Sequence, residues 1–239
     1  MEKVQSSSGE ERRRGPGRPK AGSEDKSARV LAEALDLFAR VGYNGASLED
    51  IARASDLSKA GLLHHYPSKD VLFAAVLEER DRRSVNTLSE VLGAEPSIPQ
   101  SVIEEKLDPW MLLESWERVL EENVRNIAGT SLYVSLASSV TNRDHPAHRW
   151  FTDHLILFLS QFAHTFERGK ELGTVDPDAP SVQIARILAA VSDGLQFQFL
   201  AYITEEGKSG NEALELLHTD IASETQIVIR MIEDRWRIR

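Results

Sequence analysis

The stretch Ser47 to Lys69, read Ser-Leu-Glu-Asp-Ile-Ala-Arg-Ala-Ser-Asp-Leu-Ser-Lys-Ala-Gly-Leu-Leu-His-His-Tyr-Pro-Ser-Lys, leaves the chain little freedom in how it folds. It spells two short helices joined by a tight turn. Ser47 is placed to cap the first, because its hydroxyl oxygen accepts an orphan N–H of the first turn. Glu49 and Asp50 follow where the helix dipole favours negative charge. Leu48, Ile51 and Ala52 share one apolar face at helical spacing. Asp56 and Leu57 make the turn, and Ser58 caps the second helix. That helix opens Lys59-Ala60-Gly61 and stops before Pro67, whose ring disfavours helical backbone at Tyr66. Leu62 and Tyr66, one turn apart, are its anchors to a core.

The pattern resembles the signature of the TetR family of bacterial transcriptional regulators. The matching positions are Ser47, Ile51-Ala52, Leu57-Ser58, Leu62, His65, Tyr66, Lys69 and Leu72. Upstream, Arg29 to Gly45 resembles the family's first helix, with Ala34, Leu37-Phe38 and Gly42-Tyr43 in place. One position departs: Leu63 stands where many members carry a phosphate-contacting tyrosine. The resemblance implies an all-α protein, a three-helix helix-turn-helix domain followed by a larger helical-bundle regulatory domain. It divides the chain into a disordered basic arm (1–22), a DNA-binding domain (23–71) and a ligand-binding and dimerisation domain (72–239).

Charge supports that division. The net charge of −10 is unexpected for a DNA binder until it is split. Residues 1–80 hold 13 Lys+Arg against 13 Asp+Glu, and residues 81–239 hold 15 against 25. A basic arm, Arg12 to Lys20, therefore precedes a neutral reading head and an acidic body. Within the arm, Gly15-Pro16-Gly17-Arg18-Pro19-Lys20 resembles an AT-hook core, in which an extended Arg18 lies in a narrow A·T-rich minor groove. The alternative is a solvated basic tail that attracts phosphates without reading sequence.

Periodicity places helix one at about Asp25 to Arg40, ended by Gly42, with Val30, Leu31, Ala34, Leu35, Phe38 and Val41 as its buried stripe. Ser68 caps a fourth helix reaching about Val91. Asp108 and Pro109 start one that runs to about Ala128, and another covers Ser131 to Val140. Asp144-His145-Pro146 opens a helix through Trp150, Phe158 and Phe162 to Gly173. Two more span Ser181 to Tyr202 and Glu212 to Trp236. No segment alternates like a strand.

In the expected DNA contact set, Lys59 reaches a guanine edge or a phosphate, and His64 and His65 meet phosphates or base acceptors unless they pack or cap. Ala60 and Gly61 allow close approach, Leu63 offers an apolar contact, and Lys69 is a phosphate clamp. Ser47 and Ser58 complete the set at the helix starts. For an effector pocket the aromatics Trp110, Trp116, Trp150, Phe151 and Phe197 are candidates with Asp193, against ordinary core packing. Asp193-Gly194 is also typical of the family's penultimate helix. Gly194, Leu195, Ile221 and Val228 are the expected dimer contacts. His145 and His148, three apart beside Asp144 and near Asp153, read as caps or solvated side chains rather than metal ligands. No metal and no cofactor is expected.

The absence of cysteine fits a reducing cytoplasm, and the polar, arginine-rich start does not read as a secretory signal. The longest apolar run, near Leu155 to Leu159, is too short to span a bilayer, so no membrane partner is expected. The chain thus reads as a cytoplasmic homodimeric repressor, not an enzyme, that binds a palindromic double-stranded operator and is released by a small-molecule effector. With four tryptophans and an acidic surplus after residue 81, an apolar or weakly cationic effector is expected. The alternatives are an effector-independent architectural DNA-binding protein and a helical-bundle enzyme using His145, His148 or Asp193 as acid or base.

Overall fold

Side-chain caps mark where most of the helices begin. A computed structural model describes residues 23–91, 108–205 and 220–238. It contains α1 (Ser23–Gly45), α2 (Leu48–Ala54), α3 (Lys59–His65) and α4 (Lys69–Val91). The body follows with α5 (Pro109–Arg125), α6 (Ile127–Leu136), a 3-10 turn at Ala137–Thr141, α7 (His148–Glu171), α8 (Ser181–Glu205) and α9 (Ile221–Trp236). The protein is all-α. Among the described residues the one β pairing is an isolated antiparallel bridge, Val175 to Arg237.

The regular turn of α1 breaks at Gly42, whose φ of +70° lies where a residue with a Cβ is strained. The packed face ends there: Val30, Ala34 and Phe38 are buried, while Val41, expected in the stripe, is 51% exposed. Ala46 and Tyr43 close the core beyond the break. Ring packing centres on Phe38, whose centroid lies 4.9 Å from that of Phe73 in an edge-on arrangement. The first core continues past residue 71, because Phe73, Val76 and Leu77 of α4 meet Leu132, Tyr133 and Leu136 of α6. The second core joins α5, α7, α8 and α9 through residues such as Leu113, Phe166, Leu188 and Ile229.

Several boundaries differ from the sequence reading, and the helix expected over residues 131–140 runs Ile127–Leu136 with the 3-10 turn after it. The helix from Pro109 stops at Arg125, and Asn126 caps the next, its Oδ1 accepting from the Gly129 N–H at 3.2 Å. The apolar pattern runs through this junction unbroken, so periodicity hid a cap that a lone asparagine supplies. α7 starts at His148 rather than near Pro146, because His145 Nδ1 accepts from the Ala147 N–H at 3.1 Å and holds the preceding turn. The first part of the expected last helix, and the arm with Arg18, lie outside the described residues.

Phe38 is fully buried, so Phe38→Ala should cost about 3–5 kcal/mol. Urea unfolding of the two proteins measures the difference.

Candidate DNA interface and internal cavity

The α2–α3 pair is locked as a unit. The Leu57 N–H donates to the Ala52 carbonyl at 2.8 Å across a turn in which Asp56 takes φ +55°. Aspartate tolerates this left-handed backbone better than bulkier residues. Arg29 of α1 holds the turn down, donating to the Asp56 carboxylate at 2.6 Å and to the Ala54 carbonyl at 3.5 Å. Leu62 is buried, and the Tyr66 hydroxyl lies 2.8 Å from Oγ of Ser27.

With Leu62 inward, the 100° step of a helix puts Ala60 and His64 on the opposite face, with Gly61 and Leu63 at its flanks and Lys59 and His65 nearer the packed side. Lys59, Ala60, His64 and His65 are exposed, and Leu63 is half-buried. Ser47 and Ser58 work as caps, accepting from the Asp50 and Gly61 N–H groups at 3.1 and 3.0 Å. The Ser47 hydroxyl proton is committed to the Asp50 carboxylate at 2.6 Å. Lys59 is not free: its ammonium pairs with Glu49 of α2, and that hydrogen bond holds the Glu49 carboxyl below its ordinary range. At the start of α4, the Lys69 ammonium sits 4.3 Å over the Tyr43 ring. Burial, then the Asp70 carboxylate that accepts its proton, pushes the Tyr43 hydroxyl up to about 12.

The body holds a cavity of about 180 Å³ between α4, α5, α6, α7 and α8, open to the surface beside the exposed Val85 and Leu157. Leu112, Trp116, Leu120, Leu155, Phe158 and Phe162 give it apolar walls. Arg80, Asp81, Tyr133, His154 and Asp193 make a polar cluster on the same wall surface. The Arg80 guanidinium carbon lies 4.2 Å over the Tyr133 ring, and the Tyr133 hydroxyl donates to Asp193 at 2.9 Å. Asp81 accepts from Trp150 Nε1 at 2.9 Å and lies 3.1 Å from His154 Nδ1. Burial disfavours charge on three of these groups: it lowers Arg80, and it raises Tyr133 and Asp193. Elsewhere on the wall, Trp116 Nε1 donates to Oγ of Ser192 at 2.6 Å.

Comparison with known proteins agrees with this arrangement. Residues 30–76 match the family model for bacterial regulatory proteins of the tetR family. The chain is 26% identical over 192 residues to the uncharacterized HTH-type transcriptional regulator YfiR of Bacillus subtilis, covering 79% of this chain and 87% of that one. It is 26% identical over 194 residues to the HTH-type transcriptional repressor AcnR of Corynebacterium efficiens, covering 80% and 90%. A TetR transcriptional regulator from Chloroflexus aurantiacus superimposes with a TM-score of 0.65 at 18% identity, covering 90% of this chain and 98% of that chain. In its helix-turn-helix segment and across these relatives the chain resembles regulators of the TetR family.

The match over residues 30–76 and these relatives support a DNA-binding transcriptional regulator, and the relatives are themselves named as transcriptional regulators. Of the expected pocket residues, Trp116 and Asp193 line the cavity and four others do not. Trp110 packs edge-on against Phe166 at 6.0 Å, beneath the Arg237 guanidinium. Phe151 stacks on Tyr133 at 5.2 Å inside the first core, and Trp150 supports the polar cluster from behind. Phe197 is 61% exposed, because Ala189, Ser192 and Gln196 turn toward the cavity and Phe197 falls on the next face with Ile187 and Gly194.

Among the expected dimer contacts, Ile221 is buried in the second core, so it is not a surface residue. Leu195 and Val228 are half-buried against that core, whereas a Cβ on Gly194 would meet only Gln198, at 4.0 Å. Arg80, Asp81, Tyr133 and His154 escaped the sequence reading. The run Glu78 to Arg83 looks like a solvated charged face, but the spacing Phe73, Leu77, Arg80, Ser84 continues the buried stripe of α4. His148 turns its Nδ1 to the Ser139 carbonyl at 2.9 Å.

Glu49→Gln should free Lys59 and tighten binding to a duplex selected by the native protein from a random pool. Lys59→Ala should weaken it and flatten the salt dependence by up to ~0.9 for each phosphate that is no longer neutralised. Gel-shift titrations across a salt series measure both, and equal affinities would remove Lys59 from the interface.

Asp193 binds its proton more tightly folded than unfolded, so it costs stability as pH rises above the ordinary carboxylate range. Asp193→Asn, which can still accept from Tyr133, should therefore melt higher than the native protein at neutral pH. The gain should vanish in acid, where the carboxyl is protonated in both states. Thermal unfolding across pH checks this.

Proposed function

We propose that the chain is a homodimeric, ligand-responsive repressor of the cytoplasm. In this reading residues 23–71 are the reading head and 72–239 the ligand-binding and dimerisation body. Two copies of α3 enter successive major grooves of a palindromic operator, about 34–36 Å apart. Ala60, Leu63 and His64 face the bases, Lys59 reaches a base edge or a phosphate from the first turn, and His65 and Lys69 meet the phosphates. Ser47 and Ser58 stand where the two helices start against the backbone. Arg18 reaches the minor groove from the arm. A small molecule in the cavity then releases the DNA.

The observation that carries this is the position of α4. Its first turns pack Leu72 and Phe73 into the core of the reading head, and two turns later Arg80 and Asp81 line the cavity. Anything that moves Arg80 acts on the helix that seats the head. A ligand releases DNA only if it binds the DNA-free conformation more tightly, and operator then weakens the ligand by the same factor. The relative named a transcriptional repressor favours repression over activation.

Dimerisation follows from α8 and α9. α8 is long and apolar enough to cross a membrane by length and composition, with 17% of that window buried. One of its faces packs into the second core through Ile184 and Leu188, and a second exposes Ile187 and Phe197. On α9, Ile227 and Met231 are exposed as well. A second copy covering both helices removes this apolar surface from water without a bilayer. Footprinting distinguishes the readings, since protection of one palindrome supports a repressor and uniform coating of A·T-rich DNA an architectural protein.

Gly194→Asp and Phe197→Asp place a charge on this face outside either core. Each should yield monomers by sedimentation and lose the palindrome, because two half-sites need two heads. A variant that stays dimeric would move the interface elsewhere.

A further inference from the structure

Arg80 is nine-tenths buried in the cavity wall, yet its Nη1 makes no hydrogen bond. The Asp81 carboxylate stands 3.6 Å away and is shared with Trp150 and His154. A second wall residue, Gln161 of α7, also has a buried nitrogen, Nε2, without a hydrogen-bond partner. Buried N–H donors in folded proteins almost always meet an acceptor, and a guanidinium is shaped for the two oxygens of a carboxylate. On this wall two unpaired donors, Arg80 Nη1 and Gln161 Nε2, outnumber the one unpaired acceptor, Asp81 Oδ1. Asp193 does not serve the spare donors, because it accepts from Tyr133 and its burial disfavours the charged form. A cation placed here would sit beside the guanidinium, against the sequence-based expectation of a weakly cationic effector.

We infer that the ligand is a small, largely apolar carboxylate, its head group taken by Arg80 and its hydrocarbon part by the wall of Leu112, Trp116, Phe158 and Phe162. Gln161, two turns beyond His154 on α7, donates to an acceptor oxygen further along the same molecule. This rests on the reading of the cavity as the effector site and adds the chemical class of the effector.

Octanoate, octanol and octylamine share a chain and differ in head charge, which makes them matched probes. Calorimetry on the full chain at neutral pH, with tryptophan fluorescence in parallel, should find octanoate roughly tenfold or more tighter than octanol, with octylamine weakest. Arg80→Gln should bring octanoate down to the affinity of octanol and leave octanol unchanged. Arg80→Lys keeps a buried charge beside Asp81 and should retain part of the preference, so the comparison survives if Arg80→Gln fails to fold. Octanol or octylamine binding as tightly as octanoate overturns the assignment, as does binding of none of the three or an Arg80→Gln variant that keeps native octanoate affinity. A gel shift with the duplex selected from a random pool separates the two readings. Arg80-dependent octanoate binding that leaves DNA bound keeps the carboxylate site and removes the effector role. Release by octanol and octanoate at equal concentration does the reverse.

Discussion

Helix α4 is held by two unlike kinds of contact, and the rest of the molecule is arranged around them. Toward its start, Phe73 lies edge-on to Phe38 and 4.9 Å from Tyr43, an aromatic contact. Two turns on, Arg80 and Asp81 enter a cluster of Tyr133, Trp150, His154 and Asp193 drawn from three helices of the body. Such a cluster is a poor source of net stability, because removing charges from water offsets most of what their pairing returns. Its geometry is demanding, however, and a molecule that enters it changes which partners each group has. An aromatic seat fixes the helix to the head, while an ionic seat leaves its position open to chemical influence.

The reading head follows a similar division. Its shape is set by neutral contacts, the serine caps and the buried Leu62, whereas its charges are mostly occupied within the protein. Lys59 pairs with Glu49, Arg29 with Asp56 and Arg53 with Asp50. A head of this kind meets DNA by exchanging internal ion pairs for phosphate contacts. Non-specific attraction is then low.

The fold was legible because α2 and α3 declare themselves through caps at Ser47 and Ser58 and anchors at Ile51 and Leu62, all local features. The cavity was much less so. Trp116 and Asp193 were found by residue type, but Trp110, Trp150 and Phe151 share that chemistry and pack elsewhere, since aromatic content does not say which side of a helix faces a void. Phe197 shows the same limit from the other direction: it sits one turn after Asp193, and the small rotation between them carries it from the wall to the surface. Ile221 was assigned to an outer face because the apolar pattern of α9 is as strong on its inner side. Arg80 was hidden within the unbroken charged run Glu78 to Arg83, where only the continued spacing from Phe73 and Leu77 marks it as inward.

The two ends of the described body meet in a small clasp. The Asp176 N–H donates to the Trp236 carbonyl at 2.8 Å, and the Ile238 N–H to the Thr174 carbonyl at 3.1 Å. Beneath it Val175 is fully buried, against a glycine at 169 whose added Cβ would stand 2.6 Å from the valine and 2.7 Å from Pro109. Residues 236–238 are therefore a structural strap that ties α9 to the α7–α8 turn and to the start of α5. Displacing that strap would disturb α9, the α7–α8 turn and the start of α5 together.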